Sequence, residues 1–141
     1  MKFLLILSIL LASCSPQNLN EVDGFIFKSK PNKITARITY YSIGEDKWGD
    51  LTACPNTPRA KEGITVAAHP NFNFGTKVYI PDLKDAIGNG VFVVQDRGSA
   101  VTKKKAARGK AYVFDVFVKN QYRMNKHAYN RPMYMDVYII E

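Results

Sequence analysis

Cysteine, histidine and tryptophan are scarce in this chain: two, two and one in 141 residues. Two cysteines rule out a disulfide framework, and Cys54 is expected simply to pack in the core. His69 and His127 lie far apart and close to no cysteine, so the tight ligand pair of a usual zinc site is missing. One histidine and two carboxylates can hold a divalent ion, but no metal and no cofactor is expected. There is no internal repeat and no low-complexity segment. Acidic residues are few as well, 12 against 20 lysines and arginines, for a formal charge of +8. That balance suits polyanionic surfaces such as wall polymers or lipid headgroups. Aromatic residues do not interleave with Lys103, Lys104, Lys105, Arg108 and Lys110, so the stacking platform of a single-strand binder is missing and no nucleic-acid partner is expected.

Long apolar runs are also lacking. Phe3 to Ala12 follows Met1-Lys2 and is about ten residues long, half of what a membrane-spanning helix needs. It reads as a signal peptide over residues 1–13. Leu11-Ala12-Ser13-Cys14 resembles a bacterial lipobox, which implies cleavage before Cys14 and lipid on its thiol. Two or three acyl chains on one cysteine make a stable membrane anchor. With Ser15 rather than Asp after the cysteine, the anchor implies the periplasmic face of the outer membrane in a Gram-negative cell, and the cell surface otherwise. Loss of Lys2 leaves nineteen basic against twelve acidic residues, a formal +7. Residues 14–33 are polar apart from Phe25-Ile26-Phe27 and read as a flexible tether, with a root-mean-square span of roughly 20–25 Å.

Residues 34–141 are expected to form one domain. Ile34 to Tyr41 alternates apolar and polar side chains, the period of a half-buried strand. Further strands are expected at Ile64 to Ala68, Thr76 to Ile80, Gly90 to Gln95, Ala111 to Val118 and Met133 to Ile140. Proline, asparagine and glycine turns separate them. A helix is expected at Asn120 to Ala128, and a basic turn or short helix at Thr102 to Ala107. Six short strands in so small a domain suggest a closed, mainly β barrel, because closure removes exposed edges.

Asp115 stands at the centre of the apolar run Tyr112 to Val118. An unpartnered ionised carboxylate is costly there, and the usual response is a raised pKa. A carboxyl held near neutrality can serve as a general acid. Asp96 opens the turn Asp96-Arg97-Gly98, where an aspartate can bond its own backbone.

Four blocks then occur in order: Val66-Ala67-Ala68-His69-Pro70, Phe74-Gly75-Thr76-Lys77-Val78-Tyr79-Ile80, Val93-Val94-Gln95-Asp96-Arg97-Gly98-Ser99-Ala100-Val101 and Phe114-Asp115-Val116-Phe117-Val118. Together they resemble the 3D domain, a family named for three aspartates and built as a six-stranded double-psi β-barrel with one or two short helices. They are similar to the C-terminal region of membrane-bound lytic transglycosylase A, and in part to rare lipoprotein A. The resemblance implies a peptidoglycan lytic transglycosylase acting on glycan strands, with Asp115 as catalytic acid and base and Asp96 as second carboxylate. Asp96 would raise the Asp115 pKa by like charge or stabilise positive charge on the sugar. His69 stands where most 3D domains carry their remaining aspartate and where rare lipoprotein A has histidine. It is the third catalytic candidate, as a hydrogen-bond donor. Glu62 lies nearest the upstream glutamate of rare lipoprotein A but out of alignment. Tyr41 and Trp48, as sugar-stacking aromatics, and Gly98 and Ser99 are the substrate-binding candidates. The alternative is a non-catalytic polysaccharide-binding module, since related barrels use the same groove to hold polysaccharide.

Overall fold

The computed structural model describes residues 20–103 and 106–140. Six strands close into a mixed barrel: β3 (Asn32–Ser42), β4 (Thr65–Ala67), β5 (Lys77–Tyr79), β6 (Val91–Asp96), β7 (Val113–Val118) and β8 (Tyr134–Ile140). Around the barrel they run in the order β3-β7-β4-β6-β5-β8. These are the six strands expected from periodicity, each within a few residues of its expected bounds. The β3–β7 and β4–β6 pairs are parallel, and the other four ladders are antiparallel.

Strand β3 closes the barrel because it is long enough to serve two partners. Asn32 to Arg37 pairs with β8, and Arg37 to Ser42 with β7. Inside lie Ala36, Ile38, Val66, Ala68, Val78, Phe92, Val94, Phe114, Val116, Met135 and Val137, all buried. Apart from Asp115, strand β7 is apolar because both of its faces are covered. Phe114, Val116 and Val118 face the core, while Val113 joins a second cluster with Ala67, Val101 and Ala106 on the outside of the barrel.

Helix α1 is a single turn, Ser99–Thr102, and α2 spans Gln121–Asn130. The Asn120 side chain caps α2 by accepting from the Arg123 amide. Glu62 holds the start of α2, pairing with Arg123 and accepting from the Lys119 amide at 2.8 Å. The basic segment carries one helical turn at Ser99–Thr102 and a tight turn at Ala107–Gly109, with Ala107 and Arg108 at positive φ; the turn expected over Thr102 to Ala107 falls partly outside the described residues. Lys104 and Lys105 lie outside the described residues. Cys54 is buried, as expected.

The N-terminal segment departs from the expected tether. β1 (Glu21–Val22) and β2 (Phe25–Ile26) form a hairpin, turned by Asp23 and Gly24, both at positive φ. Phe25 stacks on Tyr79 with ring centroids 4.7 Å apart, and Phe27, 5 % exposed, packs near Tyr79 and Tyr138. Lys84 Nζ donates to the Asp23 carbonyl at 2.9 Å. The apolar trio Phe25-Ile26-Phe27 therefore ties this segment to the barrel, and any free tether starts before it. Residues 1–19, with the expected signal and Cys14, lie outside the described residues. Phe27→Ala is expected to lower stability by about 2–4 kcal/mol, since it empties a buried aromatic site. Urea denaturation checks this, and an unchanged midpoint would mean the segment does not dock.

Candidate active site

A bulge decides where the second aspartate points. β4 lies between β6 and β7, so Ala67 is paired on one side with Asp115 and on the other with Asp96. In the β4–β6 ladder Val66 faces Val94, but the next residue, Ala67, faces Asp96. Gln95 is the extra residue, and the register shift falls between Val66 and Ala67. Strict alternation from Phe92 and Val94 would aim Asp96 into the core. The bulge instead brings it to the same outer face as Ala67 and Asp115. Gln95 is pinned by its own side chain, which accepts from Thr65 Oγ1 at 2.7 Å.

Both aspartates open into a cleft of about 460 Å³ on this face. Tyr41, Trp48, Gly98 and Ser99 line it too, so the structure gathers six of the seven catalytic and substrate-binding candidates into one place. His69 is the seventh and does not line the cleft. Its Nδ1 accepts from the Asn71 amide at 3.1 Å and its ring sits beside Tyr112, an arrangement that shapes the 69–71 turn. Among the described residues no cluster of three metal-ligating side chains occurs.

The two carboxyls differ sharply in their surroundings. Asp96 is 8 % exposed and fully engaged. Its Oδ1 accepts from the amides of Ala53 (2.9 Å) and Arg97 (2.8 Å), and its Oδ2 from the Tyr41 hydroxyl (2.9 Å). These bonds moor the 43–60 loop to the barrel. Burial, followed by the neighbouring Asp96 charge, raises the Tyr41 pKa, so the hydroxyl stays a donor. Its ring packs edge-on against Phe117.

Among the described residues Asp115 has one hydrogen-bond partner, Thr39 Oγ1, which donates to it at 2.7 Å. Burial pushes its carboxyl from the ordinary 3.8 up to about 6, with the Thr39 bond opposing the shift. The charge of Glu45 raises it further, and that of Asp96 adds a smaller push. The strand spacing explains this order: Asp96 and Asp115 flank Ala67 two ladders apart, so their backbones are roughly 10 Å from one another. The like-charge role expected for Asp96 is therefore minor, and burial dominates.

Arg97 was not singled out by sequence reasoning, yet it builds the cleft wall. Its guanidinium donates to the carbonyls of Ala68 (3.0 Å), Asp96 (3.2 Å) and Phe72 (2.7 Å), and stacks 4.1 Å from the Phe74 ring centre. Arg97 covers one face of Phe74, and Phe72 packs on Tyr112 and Phe114; Trp48 lines the cleft at 59 % exposed, with Lys47 Nζ 4.9 Å over its ring. Glu45, Ser42 and Leu51 also line the cleft and were missed. Glu45 sits just past the first strand in a turn closed by its amide to the Ser42 carbonyl, and only that proximity to the Thr39–Ser42 strand end could have flagged it.

No protein-family model matches this chain, and no curated protein matches it.

The raised Asp115 pKa has a stability consequence. A carboxyl whose folded pKa lies above its unfolded value favours folding most fully below about pH 4, and that contribution is lost as pH rises through about 6. Asp115→Asn is expected to be more stable than the wild type at pH 8, by up to about 3 kcal/mol, with the gap closing toward pH 4. Urea denaturation across that range measures it, and a pH-independent difference would count against a perturbed Asp115.

Proposed function

We propose that this protein is a peptidoglycan lytic transglycosylase of the 3D-domain kind, exported and anchored through a lipid on Cys14. It would cleave the β-1,4 bond between N-acetylmuramic acid and N-acetylglucosamine. One observation carries the reading: a single carboxyl, Asp115, held near neutrality in an open cleft beside an exposed tryptophan. Protonated Asp115 gives its proton to the glycosidic oxygen as the bond to C1 breaks. The resulting carboxylate takes the proton from the muramic C6 hydroxyl as that oxygen bonds to C1. The product is a 1,6-anhydro sugar, and Asp115 ends protonated as it began.

This scheme needs one carboxyl that changes protonation state, whereas hydrolysis needs two that act on opposite faces of the bond. Asp96 does not suit the second post, because both of its oxygens are taken by protein donors. Its work is to hold Tyr41 and the 43–60 loop in place. Trp48 offers a flat face for a sugar ring, and Gly98, with open space where a side chain would stand, keeps the cleft mouth clear. The basic balance of the chain suits an anionic wall. A non-catalytic glycan-binding module is the second reading, favoured by the exposed Trp48 and Leu51 at the cleft rim.

Purified sacculi incubated with wild type are expected to yield anhydro-muropeptides by mass spectrometry. Asp115→Asn should yield at least 100-fold less. The general acid must carry its proton, so cleavage should fall as pH rises through about 6. His69→Ala should retain activity within several-fold, because His69 stands outside the cleft. Sacculus binding without any product would favour the binding module, and reducing-end products would mean hydrolysis.

A further inference from the structure

Four acidic side chains line the cleft: Glu45, Asp46, Asp96 and Asp115. Their hydrogen bonds sort them. Asp96 is saturated by Ala53, Arg97 and Tyr41. Asp46 caps its own loop, its Oδ1 accepting from the amides of Trp48 (2.8 Å) and Gly49 (3.2 Å). Asp115 is bound by Thr39 on one oxygen and has the other to spare. Glu45 is exposed, and its carboxylate has no hydrogen-bond or ion-pair partner among the described residues.

The backbone places Glu45 purposefully. β3 carries Thr39 directly opposite Asp115 and ends at Ser42. The Glu45 amide then donates to the Ser42 carbonyl at 3.4 Å, closing a turn at the strand end. Glu45 thus lines the wall of the cleft that holds Asp115, close enough for its charge to act on that carboxyl more strongly than Asp96 does. Ser42, buried on the same turn, has a hydroxyl without a hydrogen-bond partner among the described residues.

We infer that Glu45 is the second functional carboxylate of this site, facing the sugar and stabilising the positive charge that develops at C1 while Asp115 moves the proton. The inference rests on the glycan-cleaving reading above. As the glycosidic bond breaks, electron density leaves C1 and the ring oxygen, and a negative group on the cleft wall, free of partners among the described residues and able to turn toward the sugar, lowers the barrier. Glu45 forms no bond to the sugar and loses no proton, so the proton balance of the reaction is unchanged. It also has a ground-state effect: its charge disfavours ionisation of Asp115, keeping the acid loaded.

The test compares wild type, Glu45→Gln and Glu45→Asp on sacculi, with anhydro-muropeptide release followed against pH. Glu45→Gln is expected to lower kcat roughly 10- to 100-fold with little change in KM. It should also move the alkaline limb of the profile to lower pH, because Asp115 loses a like-charged neighbour. Glu45→Asp should recover part of both. A Glu45→Gln enzyme with wild-type rate overturns the inference. So does a slowed enzyme whose alkaline limb has not moved, since that is the mark of a merely structural role. A wild type that releases no product overturns the glycan-cleaving reading along with this one, whereas an active wild type beside an unaffected Glu45→Gln removes Glu45 alone.

Discussion

The candidate site of this barrel depends on one extra residue in a parallel ladder. Gln95 bulges out between Val94 and Asp96, and the register against β4 shifts there. Without the bulge, the alternation that buries Phe92 and Val94 would also bury Asp96 among core side chains, where its charge would have no partners. With it, Asp96 turns to the outer face and finds the amides of Ala53 and Arg97 and the hydroxyl of Tyr41. Those bonds hold the loop that forms one wall of the cleft. The bulge is held by side-chain bonds of Gln95 itself, to Thr65 and, at 3.5 Å, to Thr57. The site is built on the barrel rather than on loops alone, which is what precise positioning needs.

Two aspartates facing the same alanine end up in different electrostatic circumstances. The number of donors separates them. Three donors bind the Asp96 carboxylate, whereas Asp115 accepts from Thr39 alone among the described residues, and burial moves its carboxyl up to about 6. Environment sorts like groups into different tasks in this way, one serving as a structural tie and the other, on the proposed reading, as a proton carrier. Ala67 between them is small enough to leave a floor to the cleft, and its own methyl joins the outer apolar cluster with Val101 and Val113.

Much of the architecture was legible in local pattern. The alternation in Ile34 to Tyr41, the apolar run at Tyr112 to Val118 and the turn residues between segments marked all six barrel strands. Asp115 was legible because a carboxylate inside an apolar run is a local anomaly. What failed was information carried by distant residues. Phe25 and Phe27 looked like a short apolar patch in a polar stretch, and only Tyr79 and Tyr138 across the barrel show why they are there. His69 sits next to the cleft-forming strand in sequence, but the turn after β4 engages it with Asn71 and Tyr112 instead.

The chain by itself determined the strand set, the apolar faces and the place of Asp115 as a carboxyl inside a covered strand, since each follows from the order of neighbouring side chains and the period of the backbone. Tertiary structure alone decided which carboxylates share a cleft and which of them are spoken for. Hydrogen-bond satisfaction depends on donors brought from far along the chain: Tyr41 and Ala53 to Asp96, Thr39 to Asp115, and none to Glu45 among the described residues. A side chain's chemistry is set by those partners and by burial, and neither can be counted until the barrel has closed.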